Sequence, residues 1–285
     1  MEFIRRYIKE VVLGLLILSN LLVWSAVQAE ASAKTLKVYF LDVGQGDAIF
    51  IETPNKHQIL IDGGKNRKIL SELGSVMSFG DKSIDIVMAT HPDADHIGGL
   101  PEVVERYDVE LFLEPGSNEA NELNEELHSR ISNRDVVTLL ARRGQIIDFG
   151  DGVILSILFP NGDVSNLDTN DASIVARLEY GEKSFLLTGD AGIRTESILL
   201  TFSKEEIDVD VLKAGHHGSR TSTSLPFAER VTPEFAIISA GKDNSYGHPH
   251  QEVLKILEKV GAKIISTIEE GAIRMETDGE KLEVK

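Results

Sequence analysis

Thr90–Gly99 reads Thr-His-Pro-Asp-Ala-Asp-His-Ile-Gly-Gly and places His91, Asp93, Asp95 and His96 within six residues. Two imidazoles and two carboxylates this close suit a divalent cation and hydrolysis by activated water. Residues two apart on an extended segment point the same way, so His91 and Asp93 can share one ion. Asp95 and His96, on the turn that follows, can face a second. Asp190 emerges behind the apolar run Lys183–Leu187 through Thr188-Gly189. His216 and His217 follow Val209–Ala214, between Gly215 and Gly218, whose lack of a side chain admits close approach to a ligand. Adjacent histidines on an extended segment point opposite ways, so at most one serves a given ion. His248 lies in Tyr246-Gly-His-Pro249 after the next strand. Ser219 can hydrogen-bond a phosphate and Lys213 can pair with one. His250 reads as a helix cap, and His57 and His128 as incidental. Cysteine is absent, so the ligands are nitrogen and oxygen.

These residues need elements that converge. The run Ile84–Ala89 predicts a buried strand ending at Thr90, and Leu100–Tyr107 a helix, which puts the motif on a strand-to-helix loop. Pro92 stiffens its exit and Gly98–Gly99 let the backbone turn. Strands are predicted over Leu36–Asp42, Ala48–Thr53, Gln58–Asp62 and Val109–Leu113. The texture turns β-rich from Val136, with Gln145–Phe149, Val153–Phe159, Ser173–Glu179 and Lys183–Leu187 separated by Gly-Asp and Asn-Gly turns. Phe235–Ser239, Lys263–Thr267 and Ala272–Glu276 complete the strands. Helices are predicted over Asn66–Leu73, Glu119–Ser132, Ile193–Phe202, Thr223–Val231 and Gln251–Val260. Strand runs with interspersed helices fit an α/β sandwich in which helices cover two packed sheets. No repeat or low-complexity linker interrupts 34–285, which reads as one domain.

Within 285 residues the formal net charge is −17. Such an acidic chain is not coated with basic patches for nonspecific nucleic-acid binding. A nuclease remains compatible with it, since bound cations supply local positive charge. Between Glu102 and Glu126 the residues are strongly acidic, a solvated face that repels DNA. Residues 1–33 form a membrane-targeting segment: Arg5, Arg6 and Lys9 precede the apolar run Val11–Val27. It reads either as a signal peptide cut near Val27-Gln-Ala29 or Ala31-Ser-Ala33, or as an uncleaved anchor. Either way, the positive residues before the apolar run place the following domain outside the cytoplasm.

His91-x-Asp93-x-Asp95-His96 resembles the His-x-His-x-Asp-His signature of the metallo-β-lactamase superfamily, with aspartate in the second histidine position. Phe40-Leu-Asp-Val-Gly-Gln-Gly-Asp47, Ile61-Asp-Gly-Gly64, Thr188-Gly-Asp190, Leu212-Lys-Ala-Gly-His-His-Gly-Ser219 and Tyr246-Gly-His-Pro249 extend the resemblance to ComEC/Rec2-type DNA-uptake hydrolase domains. The channel of full-length ComEC is absent from this sequence, so the transport role is not carried over. The resemblance implies the αββα fold, one or two divalent metals, and a bridging role for Asp190. His216 aligns with the superfamily's His-x-Gly-Ser/Thr pattern and is assigned to the metal shared with Asp95 and His96. In some relatives the position of His248 takes that role. His91, Asp93, Asp95, His96, Asp190 and His216 are thus the metal ligands. Asp95, His217 and His248 serve the chemistry, and Ser219, Lys213 and Asn170 the substrate. Asn170-Asp171-x-Ser173 stands where relatives carry a third histidine. Losing two imidazoles hardens the site toward Mn²⁺ or Mg²⁺, with Zn²⁺ still compatible. The glycines beside Asp42, Asp47 and Asp62 read as turn formers, and the aspartates equally as supports of that site or as structural residues.

The reading this supports is an exported metal-dependent phosphodiesterase acting on DNA or another nucleic acid. Two alternatives stand beside it: an esterase for small or cell-wall phosphoesters of the choline-phosphate type, and a noncatalytic module binding DNA or a partner of an uptake apparatus. β-Lactam cleavage fits the carboxylate-rich motif less well.

Overall fold

Short runs of Ile, Val, Leu and Phe bounded by Gly, Asp and Asn become strands, most of them buried on both faces. The computed structural model describes residues 2–32, 34–118, 121–203 and 205–285. One mixed sheet takes β1 (Leu36–Phe40), β2 (Ile49–Glu52), β3 (Gln58–Ile61), β4 (Ser83–Met88), β5 (Asp108–Glu114) and β6 (Val137–Leu140). The chain then builds a second sheet from β7 (Ile146–Asp148), β8 (Val153–Phe159), β9 (Val175–Tyr180), β10 (Lys183–Leu187), β11 (Val211–Lys213), β12 (Phe235–Ile238) and β13 (Lys263–Ser266). It returns to the first with β14 (Ile273–Thr277) and β15 (Leu282–Val284), giving the orders 15-14-1-2-3-4-5-6 and 13-12-11-10-9-8-7. Strands β3 to β6 are mutually parallel, as are β10 to β13.

The helices are α1 (Glu2–Ser32), α2 (Lys68–Val76), α3 (Ala94–Ile97), α4 (Leu100–Arg106), α5 (Glu122–Asn133), α6 (Ile193–Phe202), α7 (Leu225–Val231), α8 (Gln251–Lys259) and α9 (Thr267–Glu270). Side-chain alternation along the strands produces three apolar layers. Ile59, Ile61, Phe185 and Leu187 meet between the sheets. Leu60 and Val87 pack outward with Leu73 of α2, Val103 of α4 and Leu127 of α5. Leu186 and Leu212 pack outward with Leu199 of α6, Phe227 of α7 and Leu257 of α8. This is the expected αββα sandwich. Burying each such side chain contributes roughly 1.5–3 kcal/mol.

Predicted and observed strands coincide over Val153–Phe159 and Lys183–Leu187. Periodicity did not single out β6 and β15, which are short sheet-edge strands with no alternation to read. The start of the helix expected from Glu119 lies outside the described residues; α5 begins at Glu122.

Met1–Thr35 forms a unit separate from Leu36–Lys285. In its helix α1, the described side chains from Val11 to Trp24 are exposed. Among the described residues no helix is long and apolar enough to cross a membrane. The side chains of Arg5, Arg6 and Lys9, and of both expected cleavage points, lie outside the described residues.

Candidate metal centre

The parallel strands of both sheets aim their carboxyl ends at one crevice, where α/β sheets place ligands. From β4 the chain runs through Ala89 and Thr90 to His91, and from β10 through Thr188-Gly189 to Asp190. β11 leads into the turn Gly215–Gly218, and the segment after β12 carries His248. Backbone bonds tie the converging loops together here, the first across the two sheets and the second within one. Ile174 N donates to Thr90 O at 2.9 Å, and His216 N to Gly189 O at 3.2 Å.

Asp190 is buried at the middle. Its Oδ1 lies 3.2 Å from His96 Nε2, and its Oδ2 lies 3.4 Å from His217 Nε2, 3.7 Å from His216 Nε2 and 4.0 Å from His91 Nε2. Asp93 approaches His91 Nε2 at 3.6 Å, and Asp95 approaches His217 Nε2 at 3.4 Å. The inner imidazoles are aimed by their other nitrogens. His96 Nδ1 bonds Asp62 at 2.7 Å, His217 Nδ1 bonds Ser239 O at 2.9 Å, and His91 Nδ1 lies 3.1 Å from Thr90 Oγ1. This leaves the Nε2 atoms of His91, His96 and His217, with Asp190 Oδ1, buried and without a hydrogen-bond partner.

An unsatisfied buried polar atom costs about 1–3 kcal/mol, so a cluster of four calls for a shared partner. Ligand atoms of Asp47, His96, Asp190 and His217 all lie within 4.8 Å of one another. A divalent cation satisfies such a set, and the donors present fit one. The electrostatics agree. Burial pushes the Asp190 carboxyl up, but His217 and His96 hold it well below the usual range. Burial pushes His96 and His217 down, yet Asp190, joined by Asp62 at the first and Asp47 at the second, holds both well above an ordinary histidine. Asp95 is likewise raised by burial and brought by His217 and His96 to about 2.

Three expectations need correction. Residues 215–218 are not extended: His216 and His217 have φ of 48° and 56°, within a 3₁₀ turn. The alternating-direction argument therefore fails, and both imidazoles reach Asp190. The ring beside Asp95 and His96 is His217, whereas His216 keeps a quarter of its side chain exposed and approaches Asp190 alone among the acids. His217 thus occupies the position assigned to His216. Lys213 does not face the crevice, because it is fully buried with Nζ 2.6 Å from Asp47.

Asn170 lies in a 3₁₀ turn with Oδ1 buried and unpaired. Ser173, from the same motif, accepts a bond from Asp190 N at 3.3 Å and so holds the backbone of the central carboxylate. Ser219 is buried and 3.0 Å from Thr221 Oγ1, which in turn contacts His216 Nδ1 at 3.1 Å. His248 sits at the rim, its titration lowered to about 4 by burial and by the neighbouring histidines. Asp62 and Asp47 resolve as supports of the histidines, while Asp42 pairs with Lys68 and accepts from Gly44 N.

The open cleft over these groups, about 120 Å³, is lined by Gln45, Asp93, Asp95, Asp190, His216, His217, Tyr246 and His248. Gln45 and Tyr246 received no role from the sequence. The available signals were a polar side chain between two glycines and an aromatic two residues before a rim histidine.

A four-layer αββα sandwich with a carboxylate–imidazole cluster at its strand ends defines a hydrolase-like, metal-binding class of protein. The Metallo-beta-lactamase superfamily model matches residues 41–242, and the chain belongs to that superfamily. It is 31% identical over 255 residues to ComE operon protein 3 of Bacillus subtilis, covering 84% of this chain and 32% of that one. It is 23% identical over 182 residues to exodeoxyribonuclease WalJ of Streptococcus pneumoniae, covering 61% and 64%. The metallo-beta-lactamase fold protein YhfI of Bacillus subtilis superposes with a TM-score of 0.59 at 13% identity, covering 85% of this chain and all of that one. The chain spans about a third of the length of ComE operon protein 3.

Proposed function

We propose that the protein is a metal-dependent phosphodiesterase that cleaves nucleic acid, DNA foremost, outside the cytoplasm. The observation that carries the hydrolytic reading is the convergence of His91 Nε2, His96 Nε2, His217 Nε2 and Asp190 Oδ1, buried and unpartnered, beneath an open cleft. His91, Asp93, Asp95, His96, Asp190 and His217 would hold one or two cations, with Mn²⁺, Zn²⁺ and Mg²⁺ the candidates. Such cations supply activated water and stabilise charge on the attacking and leaving oxygens of a phosphodiester.

The chain's own residues do the rest. Asp62, Thr90 and Ser239 hold the histidine rings so that their Nε2 atoms stay aimed at the cluster. Gln45 Nε2, buried and unpaired at the cleft wall, can donate to a non-bridging phosphate oxygen. His248 lines the cleft and is neutral near pH 7, so it would take up the proton given off by the attacking water and pass it to the leaving oxygen. The nucleic-acid preference is supported by the likeness to a ComE operon protein and to an exodeoxyribonuclease. Location outside the cytoplasm is supported by Arg5, Arg6 and Lys9 ahead of the apolar run.

The test is a substrate panel run with each metal in turn: bis(p-nitrophenyl) phosphate, single- and double-stranded DNA, RNA, and a phosphocholine ester. The proposal expects metal-dependent cleavage of nucleic acid. Turnover confined to the phosphocholine ester would make it an esterase, and DNA retention in chelator without cleavage would make it a binding module. Protease added to intact spheroplasts should digest the domain or find it already released.

A further inference from the structure

The cleft has an aromatic wall that hydrolysis itself does not use. Tyr246 is 63% exposed and its ring stacks on His248, with centroids 5.6 Å apart and planes 20° from parallel. His248 meets His216 edge-on at 5.4 Å, and His216 reaches Asp190 at 3.7 Å. A row of rings therefore leads from solvent to the central carboxylate.

This wall is fixed. Asn244 Nδ2 donates to Gly241 O and to His248 O, each at 2.7 Å, and Asn244 Oδ1 accepts from His248 N at 2.9 Å. Gly241 N donates to Gln45 Oε1 at 3.2 Å, pinning the loop to the opposite side of the cleft. A ring carried on backbone tied down in advance and stacked on a neighbour needs less further ordering when a ligand settles on it.

The remaining lining decides what the wall is for. Three aspartates line the cleft, no lysine or arginine is among its lining residues, and the chain carries a net −17. Nucleic-acid binding through phosphates alone depends on lysine and arginine. Beyond the cations and the Gln45 amide, the grip available here is a face for a base, and an exposed aromatic accepts any base because each presents a π face. A base inside a duplex has both faces covered by its neighbours.

We infer that Tyr246 is a stacking platform for an unpaired nucleobase adjoining the scissile phosphate, which makes single-stranded nucleic acid the preferred substrate class. The inference rests on the phosphodiesterase reading.

The experiment compares an oligonucleotide with versions carrying a single abasic tetrahydrofuran residue, moved stepwise past the cleavage position. For the full-length metal-loaded protein, kcat/KM should fall about 5- to 100-fold when the abasic residue adjoins the cleaved bond. Tyr246→Ala should cleave the intact and abasic versions at similar rates, and Tyr246→Phe should restore the difference. Single strands should be cleaved faster than the matching duplex by wild type. Undiminished cleavage of every abasic version, or discrimination that survives in Tyr246→Ala, would overturn the platform and leave hydrolysis standing. Failure of the wild type to cleave any oligonucleotide or bis(p-nitrophenyl) phosphate with Mn²⁺, Zn²⁺ or Mg²⁺ would remove both readings.

Discussion

His96 Nδ1 and Asp62 Oδ2 lie 2.7 Å apart in the interior, and the same carboxylate accepts Thr90 N at 2.8 Å and Thr90 Oγ1 at 2.7 Å. Asp62 thus sets the tautomer of His96 and also fastens the start of the metal-binding loop. Asp62→Asn should weaken metal affinity about 10- to 100-fold while His96 itself is unchanged. Calorimetric titration of Mn²⁺ or Zn²⁺ into the metal-free variant gives the number. Wild-type affinity would show that the contact serves the loop alone.

Asp190 faces four imidazoles with one carboxylate. Asp190→Asn removes the negative charge and places an amide among donors that need an anion. The variant should lose most bound metal and its turnover while keeping its far-ultraviolet circular dichroism. Full activity at saturating metal would take Asp190 out of the mechanism.

The two adjacent histidines should behave differently. His217→Ala should lower metal content as well as rate, because its Nε2 is buried between Asp95 and Asp190. His216→Ala should retain more metal and lose rate, and His248→Ala should lose least against a substrate with a good leaving group, which needs less protonation. Elemental analysis after gel filtration decides; greater metal loss from His216→Ala would restore the assignment made from the sequence.

Acidity should act oppositely on the two forms of the protein. In the metal-free chain the carboxylates raise His96 and His217 well above the usual 6.5, against the downward push of burial. Their stabilising contribution is complete below pH 6.5 and disappears as pH rises through the elevated folded-state values. The melting temperature in chelator should therefore fall as pH is raised above neutral. Metal requires the neutral rings, so its affinity should increase over the same range and binding should release protons. Titrations in buffers of different ionisation enthalpy would detect that release. A flat melting profile in chelator would mean that these histidines are already neutral.

Lys213 and Asp47 form a wholly buried pair at 2.6 Å. Lys213→Met strands the Asp47 charge in the interior and should cost about 3–5 kcal/mol of stability. Adding Asp47→Asn should recover part of the loss. Denaturant unfolding of wild type and both variants in chelator measures the difference, and a cost near zero for Lys213→Met would show that Asp47 gives up its charge.

Local chemistry was legible from the chain alone. The spacing His91-x-Asp93-x-Asp95-His96, its place behind the apolar run of β4, and the emergence of Asp190 behind β10 all depend on neighbours within a few residues. Hydrophobic runs determined most strands and hence the two-sheet sandwich, because burial on both faces leaves an unbroken apolar signal. The edge strands β6 and β15 carry no such signal.

Tertiary structure decided what depends on partners distant in sequence. The positive φ of His216 and His217 turned both rings toward Asp190, a result that no rule for extended segments contains. Lys213 became an internal counter-ion rather than a surface charge because β11 lies beside the loop bearing Asp47. Asp62 and Asp47, open in the sequence between structural residues and supports of the site, became supports only once folding brought them against His96 and His217. Each assignment turns on a distance between strands that the fold alone brings together, and a linear pattern carries no record of that distance.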